Sequence, residues 1–181
     1  MRFKFLAVLA LAFLAFPIHA QLPANLEPVH VADFTSTEGE ALPDFLRRVG
    51  EALHAYTLEN GWEACGAIGE ASGRFAVALF SDRVPHGCAV RPSTLADGYA
   101  FTGETIHSHP WQKVLTLDAR ARAWSRHYGD GNHGAPTLRN DGAGGFSRAD
   151  LAGGPGWLVA KGRLLHQTGG KTTQHGAVSG R

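Results

Sequence analysis

The sequence predicts a mixed α/β (α+β) domain: a mostly antiparallel sheet with flanking helices. Three observations carry this. Phe45, Leu46, Val49, Leu53 and Tyr56 recur at three- and four-residue steps, the period of one helix face. Two pairs of apolar runs flank the tight-turn dipeptides Ser72-Gly73 and Lys161-Gly162, and both pairs read as β-hairpins. No internal repeat is present, and the order of hairpins and helices gives a mostly antiparallel sheet.

The elements follow in order. Residues 21–42 form a polar lead-in with Pro23 and Pro28 and little periodicity, and are expected to be loosely held. Pro43 suits a first helical turn and Asn60-Gly61 a stop, which gives a helix over 43–59 that packs on the sheet. The first hairpin is Cys65-Gly-Ala-Ile-Gly69 with Arg74-Phe-Ala-Val-Ala-Leu-Phe80. Residues 82–97 are rich in Pro, Gly and polar side chains and read as loop. Residues 98–107 read as a strand. Residues 118–127 have helical composition, and 129–145 are dominated by Gly, Asn and Asp, long for a plain loop in a compact domain. Ser147 reads as a helix N-cap. Gly156-Trp-Leu-Val-Ala160 and Arg163-Leu-Leu-His166 make the second hairpin, and 169–181 is a Gly-, Thr- and Ser-rich tail expected to fray.

The first 20 of the 181 residues read as a signal peptide. Arg2 and Lys4 precede an apolar run over 5–16, and Ala20 offers a small residue for cleavage. The mature chain is then one domain of 161 residues (181 less 20), in a secreted or periplasmic location. It carries 15 basic and 16 acidic residues once Arg2 and Lys4 are removed, so no basic stripe points to nucleic acid. No second apolar segment points to a membrane after leader cleavage. Cys65 and Cys88 are the two cysteines, and export favours their pairing as a disulfide.

The chemistry gathers around Glu104-Thr-Ile-His-Ser-His-Pro110. In a strand, His107 and His109 point to one face, so both imidazoles reach one point in space. Asp150, in Ser147-Arg-Ala-Asp150, offers a third ligand, and Glu63, in Trp62-Glu-Ala-Cys-Gly66, a carboxylate base. Two nitrogens and one oxygen suit a catalytic zinc, which keeps a fourth position for water. A carboxylate beside such an ion moves the water proton to a leaving amine, and a hydroxyl such as that of Ser147 steadies an oxyanion.

These residues resemble the JAMM (MPN+/JAB) zinc metalloproteases in Glu63-Ala-Cys-Gly66, His107-Ser-His-Pro110 and Ser147-Arg-Ala-Asp150, in that order. The resemblance covers roughly 43–168 and implies a JAMM-like, cytidine-deaminase-like domain. It implies zinc on His107, His109 and Asp150, Glu63 as general acid/base, and Ser147 at the oxyanion. The implied activity is hydrolysis of a peptide or isopeptide bond in a protein, a peptide or a cell-wall crosslink. One departure is large: thirty-seven residues separate His109 from Ser147, where the family's connection is much shorter. The insertion at 110–146 would stand beside the metal as a lid, a plug or a substrate-binding arm.

Other readings compete. The alternative function is a catalytically inactive JAMM-like binding or scaffold module; another is a disulfide-stapled secreted protein whose histidines bind nothing. Asp118 competes with Asp150 as the carboxylate ligand because its distance from His109 is closer to the spacing of the family resembled, although position 115 is Leu115 and not Ser. His127 and His133, within the insertion, read as solvent-facing, and as alternative ligands if Asp150 is displaced. Glu104, three residues before His107, falls on the opposite strand face and reads as structural or exposed. Trp62, Trp111, Trp124 and Trp157 are core candidates, with Trp111 also placed to line a cleft. The oligomeric state is not legible in the sequence.

Overall fold

The computed structural model describes residues 26–178. The expected leader at 1–20 lies outside the described residues. Nine strands and three helices follow: β1 (Val29–Thr35), α1 (Leu42–Asn60), β2 (Cys65–Ala71), β3 (Arg74–Ser81), β4 (Ala100–Ser108), β5 (Val114–Thr116), α2 (Ala119–Tyr128), β6 (Thr137–Arg139), α3 (Arg148–Gly153), β7 (Gly156–Ala160), β8 (Arg163–Thr168) and β9 (Lys171–Ala177). The domain is mixed α+β, with a seven-stranded sheet in the order β1-β3-β2-β4-β7-β8-β9. Each neighbouring pair is antiparallel except β4 and β7, which run parallel. That parallel pair requires a crossover, and the crossover carries β5, α2, β6 and α3. Among the described residues, no helix is long and apolar enough to cross a membrane.

Helix α1 begins with Pro in its first turn and ends at Gly61, whose φ of 70° is the left-handed cap that glycine adopts without strain. Its face of Phe45, Leu46, Val49 and Leu53 is buried against Ile68, Val77, Leu79, Ile106, Trp157, Val159 and Leu164 of the sheet. The sheet's alternation therefore sends Ile106 toward α1 and its neighbour His107 to the far face. Ser108 returns to the helix side, where its hydroxyl hydrogen-bonds Thr57 at 2.6 Å. This is why a serine separates two histidines: it ties the strand end to α1 while both imidazoles look away.

Two sequence expectations are corrected at the sheet's edges. Within the loosely held lead-in (21–42), 29–35 forms β1, paired with β3. Within the fraying tail (169–181), 171–177 forms β9, paired with β8, and Val178 beyond it is buried in the main core. The domain thus extends beyond the expected 43–168. Both are edge strands: β9 is mostly exposed and polar, and in β1 the alternation of half-buried Val29, Val31 and Phe34 is interrupted by a bulge between His30 and Ala32.

The insertion is also ordered. Strands β5 and β6 form a two-stranded ribbon, and α2 packs beside it. Leu117, Ala121 and Trp124 make a second small core with Leu26 and Val84. Buried Asp82 fastens this unit to the sheet, accepting hydrogen bonds from Trp124 Nε1 (3.0 Å), Ala89 N (2.7 Å) and Arg91 Nη2 (2.7 Å).

Candidate metal centre

Three elements bring the site together at the end of the sheet. Strand β4 supplies His107, and its continuation supplies His109, whose backbone N–H bonds the Val159 carbonyl of β7 at 3.0 Å. Cys65 pairs with His107 across β2 and β4. Continuing that antiparallel register by two residues sets Glu63 opposite His109. Glu63 is fixed by its own backbone, its N–H donating to Val84 O (3.0 Å) and its carbonyl accepting from Ser81 Oγ (2.6 Å). The Cys65–Cys88 disulfide forms as expected and ties this corner to the 82–91 loop.

Helix α3 supplies Asp150 from its first turn. Ser147 is the N-cap, and the two residues form a reciprocal capping box. Asp150 Oδ2 accepts from Ser147 N (2.7 Å) and Ser147 Oγ (2.8 Å), while Ser147 Oγ accepts from Asp150 N (3.2 Å). The same carboxylate also reaches the histidines. Thus S-x-x-D is both an ordinary helix start and one wall of the site.

The geometry is compact. His107 Nε2 and His109 Nε2 lie 3.1 Å apart. His107 Nε2 is 3.2 Å from Asp150 Oδ1, and His109 Nε2 is 3.4 Å from Asp150 Oδ2. Four ligand atoms placed tetrahedrally at about 2.0–2.1 Å from a zinc ion would stand about 3.3 Å from one another. The closest separations here bracket that edge, although Asp150 offers a different oxygen to each histidine. Among the described residues, His107, His109 and Asp150 form a group that could hold a metal ion, with one ligand atom from each lying within 4.8 Å of the others. Glu63 Oε1 stands 3.8 Å from His109 Nε2.

Hydrogen bonding explains why these atoms face one another. His109 Nδ1 lies 2.9 Å from the Gly142 carbonyl and 3.2 Å from that of Gly145. Carbonyls only accept, so Nδ1 carries the proton and Nε2 of the neutral ring presents a lone pair. That lone pair looks at His107 Nε2 and the Asp150 carboxylate, an arrangement that repels unless a proton or a cation sits among them.

The electrostatics agree. Burial, with the His107 charge adding to it, lowers the His109 pKa to about 4, so the ring is neutral near pH 7. Burial raises that of Asp150, but the hydrogen bond and charge of His107, the charge of His109 and the Ser147 hydroxyl outweigh it and hold the carboxylate ionised. Glu63 goes the other way: burial, then the Asp150 charge, pushes its pKa well above the usual range. Two carboxyl groups at one site are therefore set to different protonation states, a pattern of acid–base sites.

A cavity of about 1280 Å³ opens in front of the group, lined by Glu63, His107, His109, Asp150 and, from the insertion, Leu115 and Leu138. The competing residues stand elsewhere. Asp118 is the N-cap of α2, its Oδ1 accepting from Ala121 N at 2.7 Å. His127 packs edge-on against Tyr128, and both it and His133 are solvent-exposed. Glu104 is half-buried and paired, accepting from Trp157 Nε1 at 2.6 Å with His166 Nε2 at 3.1 Å. Trp124 and Trp157 are core residues. Trp111 is exposed and stacks on His54 rather than lining the large cavity, and Trp62 lines a smaller one of about 230 Å³. The carbonyls of Gly142 and Gly145 were not legible in the sequence, since a main-chain acceptor is encoded by no residue type.

Comparison with protein families, with curated proteins and with solved structures finds no match to this chain.

Proposed function

We propose that the protein is a secreted zinc-dependent metallopeptidase or isopeptidase of JAMM-like type, hydrolysing an amide bond. The observation that carries this reading is the convergence of His107, His109 and Asp150 at near-tetrahedral edge lengths with buried Glu63 beside them. The ligand set of two imidazoles and one carboxylate suits zinc, with an open position. When bound, the ion would acidify a water molecule and polarise the scissile carbonyl.

The chain's own groups do the rest. Glu63, with its raised proton affinity, takes a proton on Oε and returns it to the leaving nitrogen. Asp150 stays ionised and balances cationic charge. The Ser147 hydroxyl, which here donates to Asp150, swings to donate to the carbonyl oxygen as negative charge builds there. The substrate amide, from a peptide, a protein or a cell-wall crosslink, enters through the cavity between sheet and insertion. The disulfide fits an oxidising compartment and so supports export.

The test is a peptide and isopeptide substrate library with zinc-loaded wild type and Glu63→Gln. Wild type should cleave, and the variant should keep its metal while losing about 10²–10⁴-fold in rate. Zinc binding with no cleavage by either protein would instead favour a metal-holding binding module.

A further inference from the structure

At the root of the insertion stands Asn140, whose side chain the proposed chemistry does not use. Asn140 Nδ2 donates to the carbonyls of Pro110 (2.9 Å) and Gln112 (3.0 Å). Its backbone N–H donates to Lys113 O at 2.9 Å. Its Oδ1 accepts from Gly142 N at 3.1 Å. One residue thereby closes the two roots of the insertion on each other, directly after His109-Pro110 and directly before the Gly142–Gly145 turn.

That turn lies against the His109 ring. A Cβ at Gly142 would meet His109 Nδ1 and Cε1 at 2.6 Å, closer than side-chain carbons approach, so the main chain is pressed on the imidazole edge. Gly142 is buried, and its carbonyl is the nearer of the two that take the Nδ1 proton. Gly145 N also bonds the Gly142 carbonyl at 3.3 Å, which closes the turn. The arrangement is a chain of contacts: Pro110 and Gln112 to Asn140, Asn140 to Gly142, Gly142 to His109 Nδ1.

We propose that Asn140 is a positioning residue that fixes the His109 tautomer. By clamping 110–113 to 140–142 it holds the Gly142 carbonyl on Nδ1, so the proton stays there and Nε2 keeps its lone pair toward His107 and Asp150. On this account the root of the insertion is a structural part of the metal centre rather than a cover over it. Partners that orient a ligating histidine typically contribute about 10–100-fold in metal affinity.

Two readouts test this, and the first needs no metal. Long-range ¹H–¹⁵N NMR of the imidazoles in metal-free wild type should show His109 as the Nδ1–H tautomer. Asn140→Ala should shift it to a mixture, and Asn140→Asp, which sets a carboxylate oxygen against the Pro110 and Gln112 carbonyls, should shift it at least as far. Wild-type His109 found protonated on Nε2 overturns the proposal without any variant, which covers the case of a variant that does not fold. The second readout rests on the metal-centre reading above: zinc affinity by chelator competition should weaken about 10–100-fold in Asn140→Ala. An unchanged tautomer together with zinc affinity within twofold of wild type also overturns it. A wild type that binds no zinc but shows the Nδ1–H tautomer, lost in Asn140→Ala, sinks the metal reading and leaves the clamp standing.

Discussion

The two ring nitrogens of His109 have opposite duties: Nδ1 donates to main-chain carbonyls and Nε2 faces the cluster. Burial makes the charged ring costly, which gives a pH prediction with a definite sign. The folded-state pKa is about 4 against 6.5 for an ordinary histidine. Between those values the unfolded chain binds a proton that the folded chain refuses, so stability is whole above pH 6.5 and falls as pH drops toward 4. The difference of 2.5 (6.5 less 4) amounts to about 3 kcal/mol. Glu63 opposes this, since its raised pKa makes the folded state bind more protons above the usual carboxylate range. Metal-free Glu63→Gln removes that opposition. Its urea stability should fall by about 3 kcal/mol from pH 6.5 to pH 4, more steeply than wild type; a flat profile would mean that His109 is not held neutral by burial.

At the scale of elements, most of the architecture was readable because it follows apolar pattern and turn chemistry. Helix α1, both hairpins and the Ser147 cap stand where periodicity and tight-turn dipeptides placed them. The histidine pair was readable because strand alternation is geometric. Asp118 shows the limit: an aspartate before a helix reads equally as ligand or cap, and only the backbone donor it meets decides. Strand β9 was missed because a polar edge strand is specified by its partner's hydrogen bonds more than by its own apolar content, and β1 because a bulge between His30 and Ala32 interrupts its apolar alternation. The insertion was expected as a lid, plug or arm; it is packed through Trp124 and Asp82. Because the Asp82 carboxylate is buried with its donors around it, Asp82→Ala should cost about 3–5 kcal/mol in urea unfolding, with α2 amides exchanging faster than those of α1. A loss below about 1 kcal/mol would mean that the insertion is held by other contacts.

On the scale of the whole molecule, the sheet positions the site and its edges protect the sheet. Strand β9 covers β8, and Val178 beyond it packs beside Gly50 of α1 in the main core. A chain ending at residue 168 should therefore lose at least about 2 kcal/mol, from Val178 burial alone, and expose the β8 edge. Thermal melting and light scattering would register both effects; unchanged melting would mean that 169–181 is the frayed tail its composition suggests. The site lies far along the chain from that edge strand but shares its sheet. Four segments, around 63, 107–109, 142–145 and 147–150, meet at one end of it. A motif search finds the candidate ligands and not the carbonyls that orient His109, because a main-chain acceptor is encoded by no residue type even when it lies just before Ser147.

If His107, His109 and Asp150 hold one metal ion, the isolated protein must carry it. Elemental mass spectrometry of the protein spanning residues 21–181, supplied with zinc and dialysed, tests this most directly beside His109→Ala, Asp150→Ala and Glu63→Gln. About one zinc per chain is expected in wild type and in Glu63→Gln, with loss from His109→Ala and Asp150→Ala. Wild-type protein that is folded but carries no metal would contradict it, and zinc retained by Asp150→Ala would remove Asp150 from the ligand set.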